Sequence, residues 1–364
     1  MKTKFLLPIV AMGLFVACSD DSSSPSPVAV PADPAMDPGA EPATLPATDS
    51  SAVQDPAVDP ALGQADLRAP ATDPVPGADP AARVETSVDP ATSLAACRNS
   101  ARTPVVEPTY AVPPTSGTYA YYGAELTGVD QFKYGRFEAC MKMVSIPGSV
   151  SSMFLYYDNS WMNNDEPWNE IDIEVLGKGG TMWQSNIITR EGDPSIKKNT
   201  ASESKPLHEF GFDATEDFHL FAMTWTPEYV SWEIDGTEIR RDTLGIIRGT
   251  HADADQVAFL TKEQTLRFNL WASKSQGWVG KFTGDELADA PKAQWIDYVR
   301  VYSYDEATGA FTESWVDDFE GTSLSEHWAT GNWEMEKVNL SPDNVIVEDG
   351  YCKLMISRAD APAE

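Results

Sequence analysis

From about residue 106 onward, apolar and polar residues alternate in short runs, with the period of two that is typical of β-strands. The clearest runs are YGRFEACMKM (134–143), HLFAMTW (219–225), YVSWEI (229–234), TLRFNLWAS (265–273) and WIDYVRVYSY (295–304). Asp235-Gly236 follows YVSWEI and predicts a tight hairpin turn. Helical periodicity is scarce. The pattern therefore predicts one all-β domain, a jelly roll or β-sandwich, over residues 106–358, followed by a short tail, 359–364.

The first 18 residues have the pattern of an export signal. Lys2 and Lys4 precede an apolar run, FLLPIVAMGLFVA, that is too short to span a bilayer as a helix. The run ends in a segment that resembles a bacterial lipobox, in which Cys18 is acylated. We therefore expect an exported protein, lipid-anchored at the bacterial outer membrane or cell surface, with plain secretion as the alternative.

Residues 19–105 form a predicted disordered linker. The dipeptide Asp-Pro recurs along this segment, which is rich in Asp, Pro and Ala and contains no Trp or Tyr. Such a composition cannot bury enough apolar surface to fold, and proline with like charges extends the chain. The linker is predicted to hold the following domain away from the membrane.

Charge and cysteine usage narrow the function classes. The formal charge of −30 argues against nucleic acid and against electrostatic docking on anionic lipid. We expect a monomer that meets the membrane only through its lipid anchor. Beyond the signal, Cys97, Cys140 and Cys352 leave at least one thiol unpaired within the chain, and their pairing stays open. With no CxxC and only scattered histidines, zinc and Cys/His catalysis have no support.

The segment WNEIDIEVLG (168–177) carries the candidate chemistry. Glu170, Asp172 and Glu174 share one strand face, and no Lys or Arg lies between residues 161 and 176. Acids without cations indicate a metal site or catalytic carboxylates with shifted pKa values, although alternating acids also line solvated strands.

Retaining glycoside hydrolysis needs two carboxyl groups about 5–5.5 Å apart. A straight strand separates the Cα atoms of Glu170 and Glu174 by roughly 13 Å, so sheet curvature and leaning side chains must close the gap. Asp172, between them, can hydrogen-bond either carboxyl and hold their protonation states apart.

Aromatic and amide residues share faces with polar neighbours on several other predicted strands. Aromatic faces stack on sugar C–H groups while amides bind hydroxyls, so this set predicts a saccharide cleft; core packing is the alternative for any single tryptophan. The set comprises Phe154, Tyr156, Trp168, Gln184, Asn186, Arg267, Asn269, Trp271 and Trp278.

These motifs together resemble glycoside hydrolase family 16. The uninterrupted E-x-D-x-E of NEIDIEVLG is similar to the lichenase branch, whereas other branches insert a residue before the second Glu. The resemblance covers most of residues 120–358. A segment that comes first in most members, here 314–357, stands last, as in circularly permuted bacterial lichenases; permutation is tolerated where termini lie close together.

The resemblance implies a jelly roll with a concave substrate cleft and assigns roles by position. Glu170 is implied as nucleophile, Glu174 as acid/base and Asp172 as their modulator. Trp333 is implied as a sugar-stacking residue in addition to the cleft set above. A structural calcium ion is also implied, with Asp297, Asp318 and the carbonyl of Gly350 as ligands; no cofactor is expected for catalysis.

Departures from the lichenase pattern fall at the rim, at Asp158, Trp161 and Thr330 and in the segments 190–208 and 253–262. We therefore expect an endo-acting retaining hydrolase whose partner is mixed-linkage β-1,3-1,4-glucan. The alternatives are a β-1,3-glucanase, a non-catalytic surface glucan-binding lipoprotein, or a structural lipoprotein whose acids are merely solvated.

Overall fold

The computed structural model describes residues 90–100, 119–190, 202–247 and 255–359. The predicted signal with Cys18 and most of the predicted linker lie outside these ranges, as do the last five residues of the chain. Within the described ranges, none of the helices has the length and apolar content to cross a bilayer.

The described residues are predominantly extended, as the alternating pattern predicts. Their helices are short: α1 (Pro90–Ser100), α2 (Gln256–Phe259) and α3 (Gln276–Val279). The strands are β1 (Tyr121–Phe132), β2 (Gly135–Lys142), β3 (Ser149–Tyr156), β4 (Trp168–Leu176), β5 (Met182–Arg190), β6 (Ser202–Glu203), β7 (Leu207–Glu209), β8 (His219–Trp225), β9 (Tyr229–Ile234), β10 (Thr237–Thr243), β11 (Gln264–Ala272), β12 (Lys292–Asp305), β13 (Ala310–Asp317), β14 (Trp328–Thr330), β15 (Glu334–Met335), β16 (Val338–Leu340), β17 (Val345–Glu348) and β18 (Tyr351–Arg358).

The strands pair into two antiparallel layers, which confirms the predicted jelly-roll sandwich. One layer, called the cleft sheet, follows the order β5-β4-β3-β11-β1-β14, with β6 and β7 on the free edge of β5. The other, called the outer sheet, follows β10-β9-β8-β2-β12, and β12 also pairs with β13 and β18. Strand β1 pairs in addition with β16 and β18.

The apolar residues of each strand pack between the two layers. On β4, Ile171, Ile173 and Val175 are fully buried in the main core, because they alternate with the acids of the same strand. Burying each such side chain stabilises the fold by about 1.5–3 kcal/mol. The Trp232 indole on β9 donates to the main-chain oxygen of Asp172 at 2.9 Å, which ties the outer sheet to the cleft sheet.

The Asp235-Gly236 turn has the predicted hairpin geometry. Ile234 pairs with Thr237 across it, which leaves a loop of two residues. Asp235 and Gly236 have φ angles of 50° and 75°, the left-handed values that this turn requires. Asp235 also accepts a hydrogen bond from the main-chain nitrogen of Leu220 at 2.9 Å, which stabilises its conformation.

Helix α1, which falls inside the predicted linker 19–105, packs on the outer sheet. Ser93 is fully buried, and its hydroxyl donates to Glu138 at 2.7 Å. Leu94 packs against an apolar cluster on the outer face of that sheet. A disulfide between Cys97 and Cys140 joins α1 covalently to β2. Composition alone does not reveal this segment, because a disulfide and the buried hydrogen bonds of Ser93 hold it, rather than a large apolar face.

The cysteine pairing that the sequence left open is resolved by the fold. Cys97 and Cys140 have Cα atoms 5.5 Å apart and are bonded, whereas Cys352 on β18 is a buried free thiol. Burial raises the pKa of the Cys352 thiol far above its ordinary value. Cys352 is therefore an unreactive core residue.

Candidate active site

Strand pairing brings the three acids of β4 to the floor of a cavity of about 370 Å³. Glu170 lies opposite Tyr156 on β3 and Ile188 on β5, and Glu174 lies opposite Gln184 on β5. Cross-strand partners share a face, so the neighbouring strands place aromatic and amide side chains on both sides of the acids. The predicted common face of Glu170, Asp172 and Glu174 is therefore observed.

Neutral groups supply the hydrogen bonds of the two glutamates. The Trp168 indole nitrogen donates to Glu170 Oε2 at 2.6 Å. The Gln184 side-chain nitrogen donates to Glu174 Oε2 at 2.8 Å, and its oxygen accepts from the Trp278 indole at 3.2 Å. These donors orient each carboxylate without adding a formal positive charge.

Burial raises the pKa values of all three acids, and no Lys or Arg side chain among the described residues forms a salt bridge with them. Burial raises the pKa of Glu170 to about 7, although hydrogen bonds from Trp168 and Asp172 oppose the shift. Burial and the negative charge of Glu170 raise the pKa of Glu174 to about 8. Burial and then the charges of both glutamates raise the pKa of Asp172 well above its usual range.

Asp172 lies between the two glutamates, and their charges favour its protonated form. It is 3% exposed, and in its protonated form it donates a hydrogen bond to Glu170. That bond favours the ionised form of Glu170. Two buried carboxyl groups with raised pKa values and different hydrogen-bond donors are the arrangement that nucleophilic and general-acid roles require.

The cavity collects most of the residues that the sequence assigned to a saccharide cleft. Those that line it are Phe154, Tyr156, Gln184, Asn186, Arg267, Asn269, Trp271, Trp278 and Trp333. Trp168 is the exception, because it does not line the cavity: it is 4% exposed, clusters with Phe154 and Tyr156, and its indole donates to Glu170. Its contact with a sugar stays a prediction.

Sequence reasoning missed a charged group on the far side of the cleft. Glu125 on β1 is 2% exposed and accepts from Arg267 Nη1 at 3.1 Å; Arg267 Nη2 donates to Asp158 at 2.7 Å. Burial raises the pKa of Glu125, and the Arg267 charge opposes that shift. The register of β1 against β11 sets this contact between residues distant in sequence, so no local pattern indicated it.

Several further residues line the cavity without having been predicted as part of the cleft. They are Ser152, Asp158, Trp161, Ile188, Glu203, Lys205, Asn332, Met335 and Glu336. Asp158 and Trp161 were noted from sequence only as departures at the rim. Ser152 and Ile188 continue the alternation of Phe154 and Asn186, so the sequence carried a signal for both. The remaining residues lie in segments whose register against the cleft sheet could not be read from the chain.

The residues of the predicted calcium site lie near one another in the strand register. Asp297 lies on β12 and is 7% exposed. Strand β12 pairs with β13, which ends one residue before Asp318, and with β18, which begins one residue after Gly350. Two carboxylates and one carbonyl are the hard oxygen donors that calcium prefers, so the residues fit the ion. Within the described ranges no three acidic, His or Cys side chains cluster as metal ligands, so main-chain oxygens would have to contribute.

Comparisons with known proteins agree with this geometry. The sequence profile described as "Glycosyl hydrolases family 16" matches residues 97–289. The chain is 39% identical over 244 residues to a "Beta-glucanase" of Fibrobacter succinogenes, covering 65% of this chain and 64% of that protein. It is 30% identical over 191 residues to a "Beta-glucanase" of Brevibacillus brevis, covering 52% of this chain and 65% of that protein. The chain thus spans slightly less than two thirds of the length of these relatives.

Two solved structures overlap part of the chain. One is the "Bacillus licheniformis beta-glucanase", with a TM-score of 0.34, 28% identity, and coverage of 44% of this chain and 64% of that one. Another is a prokaryotic beta-1,3-1,4-glucanase (lichenase) from a mouse hindgut metagenome, with a TM-score of 0.35, 25% identity, and coverage of 50% and 79%.

Proposed function

The chain belongs to the glycosyl hydrolases of family 16, and on that premise we propose that it is an endo-acting β-glucanase that cleaves mixed-linkage β-1,3-1,4-glucan with retention of configuration. The observation that carries the proposal is the row of three buried acids on the floor of the aromatic cavity. No other group of side chains described above combines opposed protonation states with a surface that suits a sugar chain.

In the first proposed step, ionised Glu170 attacks the anomeric carbon and forms a glycosyl ester. The glycosidic C–O bond breaks, and protonated Glu174 gives its proton to the leaving oxygen. The lower pKa of Glu170, about 7 against about 8 for Glu174, favours this assignment over the reverse. Asp172, by donating to Glu170, keeps the nucleophile ionised until the new bond forms.

In the second proposed step, water hydrolyses the ester. Glu174, now ionised, accepts a proton from water as the water oxygen bonds to the anomeric carbon. The ester bond breaks, which returns the electron pair to Glu170 and leaves Glu174 protonated for the next cycle. Two displacements on one carbon retain its configuration.

The mixed-linkage substrate is the finer part of the proposal. It is supported by the uninterrupted Glu-x-Asp-x-Glu spacing and by relatives named as beta-glucanases. Circular permutation is likewise proposed: β14, β16 and β18, all from the C-terminal segment, pair with β1 at the start of the domain, and Trp333 from that segment lines the cavity.

Product analysis tests this function most directly. The purified protein would be incubated separately with barley β-glucan, lichenan and laminarin, and the products would be sized by chromatography. Proton NMR would show which anomer is released first. We expect rapid loss of viscosity, oligosaccharides from the two mixed-linkage glucans, and the β-anomer first. The matched control is Glu170→Gln, which removes the ionised oxygen with little change of shape.

Each alternative predicts a different result from the same experiment. Faster turnover of laminarin than of either mixed-linkage glucan would replace the substrate with β-1,3-glucan. Binding to all three glucans without release of reducing ends would leave a surface glucan-binding protein. Release of the α-anomer first would exclude the double displacement.

Two accessory features complete the proposal. Acylation of Cys18, tested by mass spectrometry of the membrane fraction, would anchor the domain through the Asp/Pro-rich segment. A calcium ion held by Asp297, Asp318 and the Gly350 carbonyl would clamp three strands of the outer sheet. In that case chelation lowers the melting temperature and Asp297→Asn abolishes the effect; an unchanged melting temperature argues against the ion.

A further inference from the structure

One edge of the cleft contains an ion pair that neither the motif nor the proposed mechanism uses. Glu203, on β6, and Lys205, two residues later, form a salt bridge, and both line the cavity beside the β4 acids. Their side chains are 17% and 14% exposed, so solvent screens their charges less than it screens a surface pair.

Strand register places Glu203 in line with the proposed nucleophile. Ile188 on β5 pairs with Glu170 on one side and with Glu203 on the other. Glu203 therefore lies two strands from Glu170 in the same row, at a Cα separation of roughly 10 Å. Residues of one row share a face, so both carboxylates belong to the same side of the sheet.

The residue between the two charged side chains is fixed by buried contacts. Ser204 is fully buried, and its main-chain nitrogen donates to the Asn186 side chain at 3.2 Å. Arg240 Nη1 donates to the main-chain oxygen of Ser204 at 2.9 Å, and Nη2 donates to its hydroxyl at 2.6 Å. The main chain that carries Glu203 and Lys205 is thus held to both sheets, which limits how far the ion pair can move from the acids.

We propose that Glu203 and Lys205 are positioning residues for the reaction: their ion pair places one negative and one positive charge beside the β4 acids and sets which acid holds a proton. This inference rests on the roles proposed for Glu170 and Glu174. The two charges have opposite effects. The Glu203 carboxylate disfavours ionisation of its neighbours, whereas the Lys205 ammonium favours it.

The electrostatics of the acids agree with this geometry. Glu203 raises the pKa of Glu170, Asp172 and Glu174, after the larger effect of burial. Lys205 lowers the pKa of Glu174. The other charged residues that line the cavity are Glu125 from β1, Asp158 after β3, Arg267 from β11 and Glu336 between β15 and β16.

Opposite shifts of the pH profile test the proposal. Lys205→Met keeps the length of the side chain but removes its positive charge, so the pKa of Glu174 rises. The alkaline limb of the kcat/KM profile, which Glu174 governs, therefore moves to higher pH. Glu203→Gln removes the anion, so both limbs move to lower pH. For unit charges at this separation we expect shifts of about half a pH unit to one unit. In the double variant the two shifts offset each other.

The outer sheet supplies a matched control. Arg241 and Glu238 on β10 form an exposed ion pair that does not line the cavity. Arg241→Met and Glu238→Gln therefore remove the same charges and leave the pH profile unchanged. A purely structural role for the Glu203–Lys205 pair would lower kcat in both single variants without moving the limbs in opposite directions.

A second measurement keeps the inference separate from the proposed activity. Carbon-13 NMR titration of δ-labelled glutamate, assigned with Glu170→Gln and Glu174→Gln, reads the carboxyl pKa values without any substrate. If no glucan is cleaved but the two variants shift the carboxyl pKa values in opposite directions, the proposed activity is rejected and the electrostatic role is retained. If both variants turn over glucan normally, and neither the pH profile of kcat/KM nor the carboxyl pKa values change, the electrostatic role is rejected and the proposed activity stands. A rise of KM in Lys205→Met alone would also reject the electrostatic role.

Discussion

Both sheets bury carboxylates on alternating strand positions, but the two sets have different partners. On the outer sheet, Glu138 is fully buried and bonded to Arg136 at 2.8 Å, while Arg136 reaches Glu233 at 2.6 Å. On the cleft sheet, Glu170 accepts from the neutral indole of Trp168, and Glu174 from the neutral amide of Gln184. One guanidinium thus binds both carboxylates of the outer cluster, whereas neutral groups supply the hydrogen bonds that the structure describes for the two cleft glutamates.

This difference separates a structural cluster from a reactive one. The two carboxylates around Arg136 raise the pKa of its guanidinium above the ordinary value, despite its burial, so that charge is fixed. In the cleft, burial outweighs the hydrogen bonds and the more distant cations, and raises the pKa values of Glu170 and Glu174 into the neutral range. Protons can then leave and return there during a reaction, at the expense of local stability.

The largest expected effect comes from the nucleophile. Glu170→Gln should lower kcat on mixed-linkage glucan by at least about a thousandfold, because the first displacement loses its anion. Glucan binding, measured by affinity electrophoresis, should stay nearly unchanged. Turnover close to that of the wild-type protein would remove Glu170 from this role.

Removing the cation of the outer cluster should have a large effect on stability instead. Arg136→Met leaves Glu138 and Glu233 without their guanidinium partner, and we expect a loss of about 3–5 kcal/mol in the free energy of unfolding. Urea denaturation at pH 7 measures this loss. The pH dependence of kcat/KM in the folded protein should stay unchanged; a shifted profile would show that the two clusters are coupled.

The disulfide that holds α1 over the outer cluster should contribute less. Cys97→Ser frees α1, whose Ser93 donates to Glu138, and we expect a loss of about 2–4 kcal/mol. Reducing agent should lower the melting temperature of the wild-type protein but not that of the variant. Equal melting temperatures for oxidised wild-type protein and variant would contradict a stabilising role for α1.

The smallest effect concerns stability against pH. The pKa of Glu170 rises from its ordinary value of 4.5 to about 7 on folding, so its stabilising contribution is complete below pH 4.5 and is lost as pH rises through 7. Relative to wild type, Glu170→Gln should therefore gain stability across that window and reach a plateau above it, by about 1–3 kcal/mol. Parallel stability curves for the two proteins would contradict an elevated pKa.

The sequence by itself determined the strand period, the Asp235-Gly236 hairpin and the common face of Glu170, Asp172 and Glu174. Of the ten cleft residues predicted from the sequence, nine line the cavity. The strand period and the common face follow from alternation, which each strand carries locally whatever its neighbours are. The hairpin follows from its two turn residues, and Trp333 was implied by the family resemblance.

Only the tertiary structure decided which strands meet and what covers each side chain. The pairing of β1 with β11 brought Glu125 to Arg267, the edge strand β6 brought Glu203 beside the β4 acids, and a disulfide fixed α1 where composition predicted a linker. Trp168 clusters with Phe154 and Tyr156 and donates to Glu170 instead of lining the cavity. Pairing partners and burial depend on contacts between residues distant in the chain, and no local period encodes them.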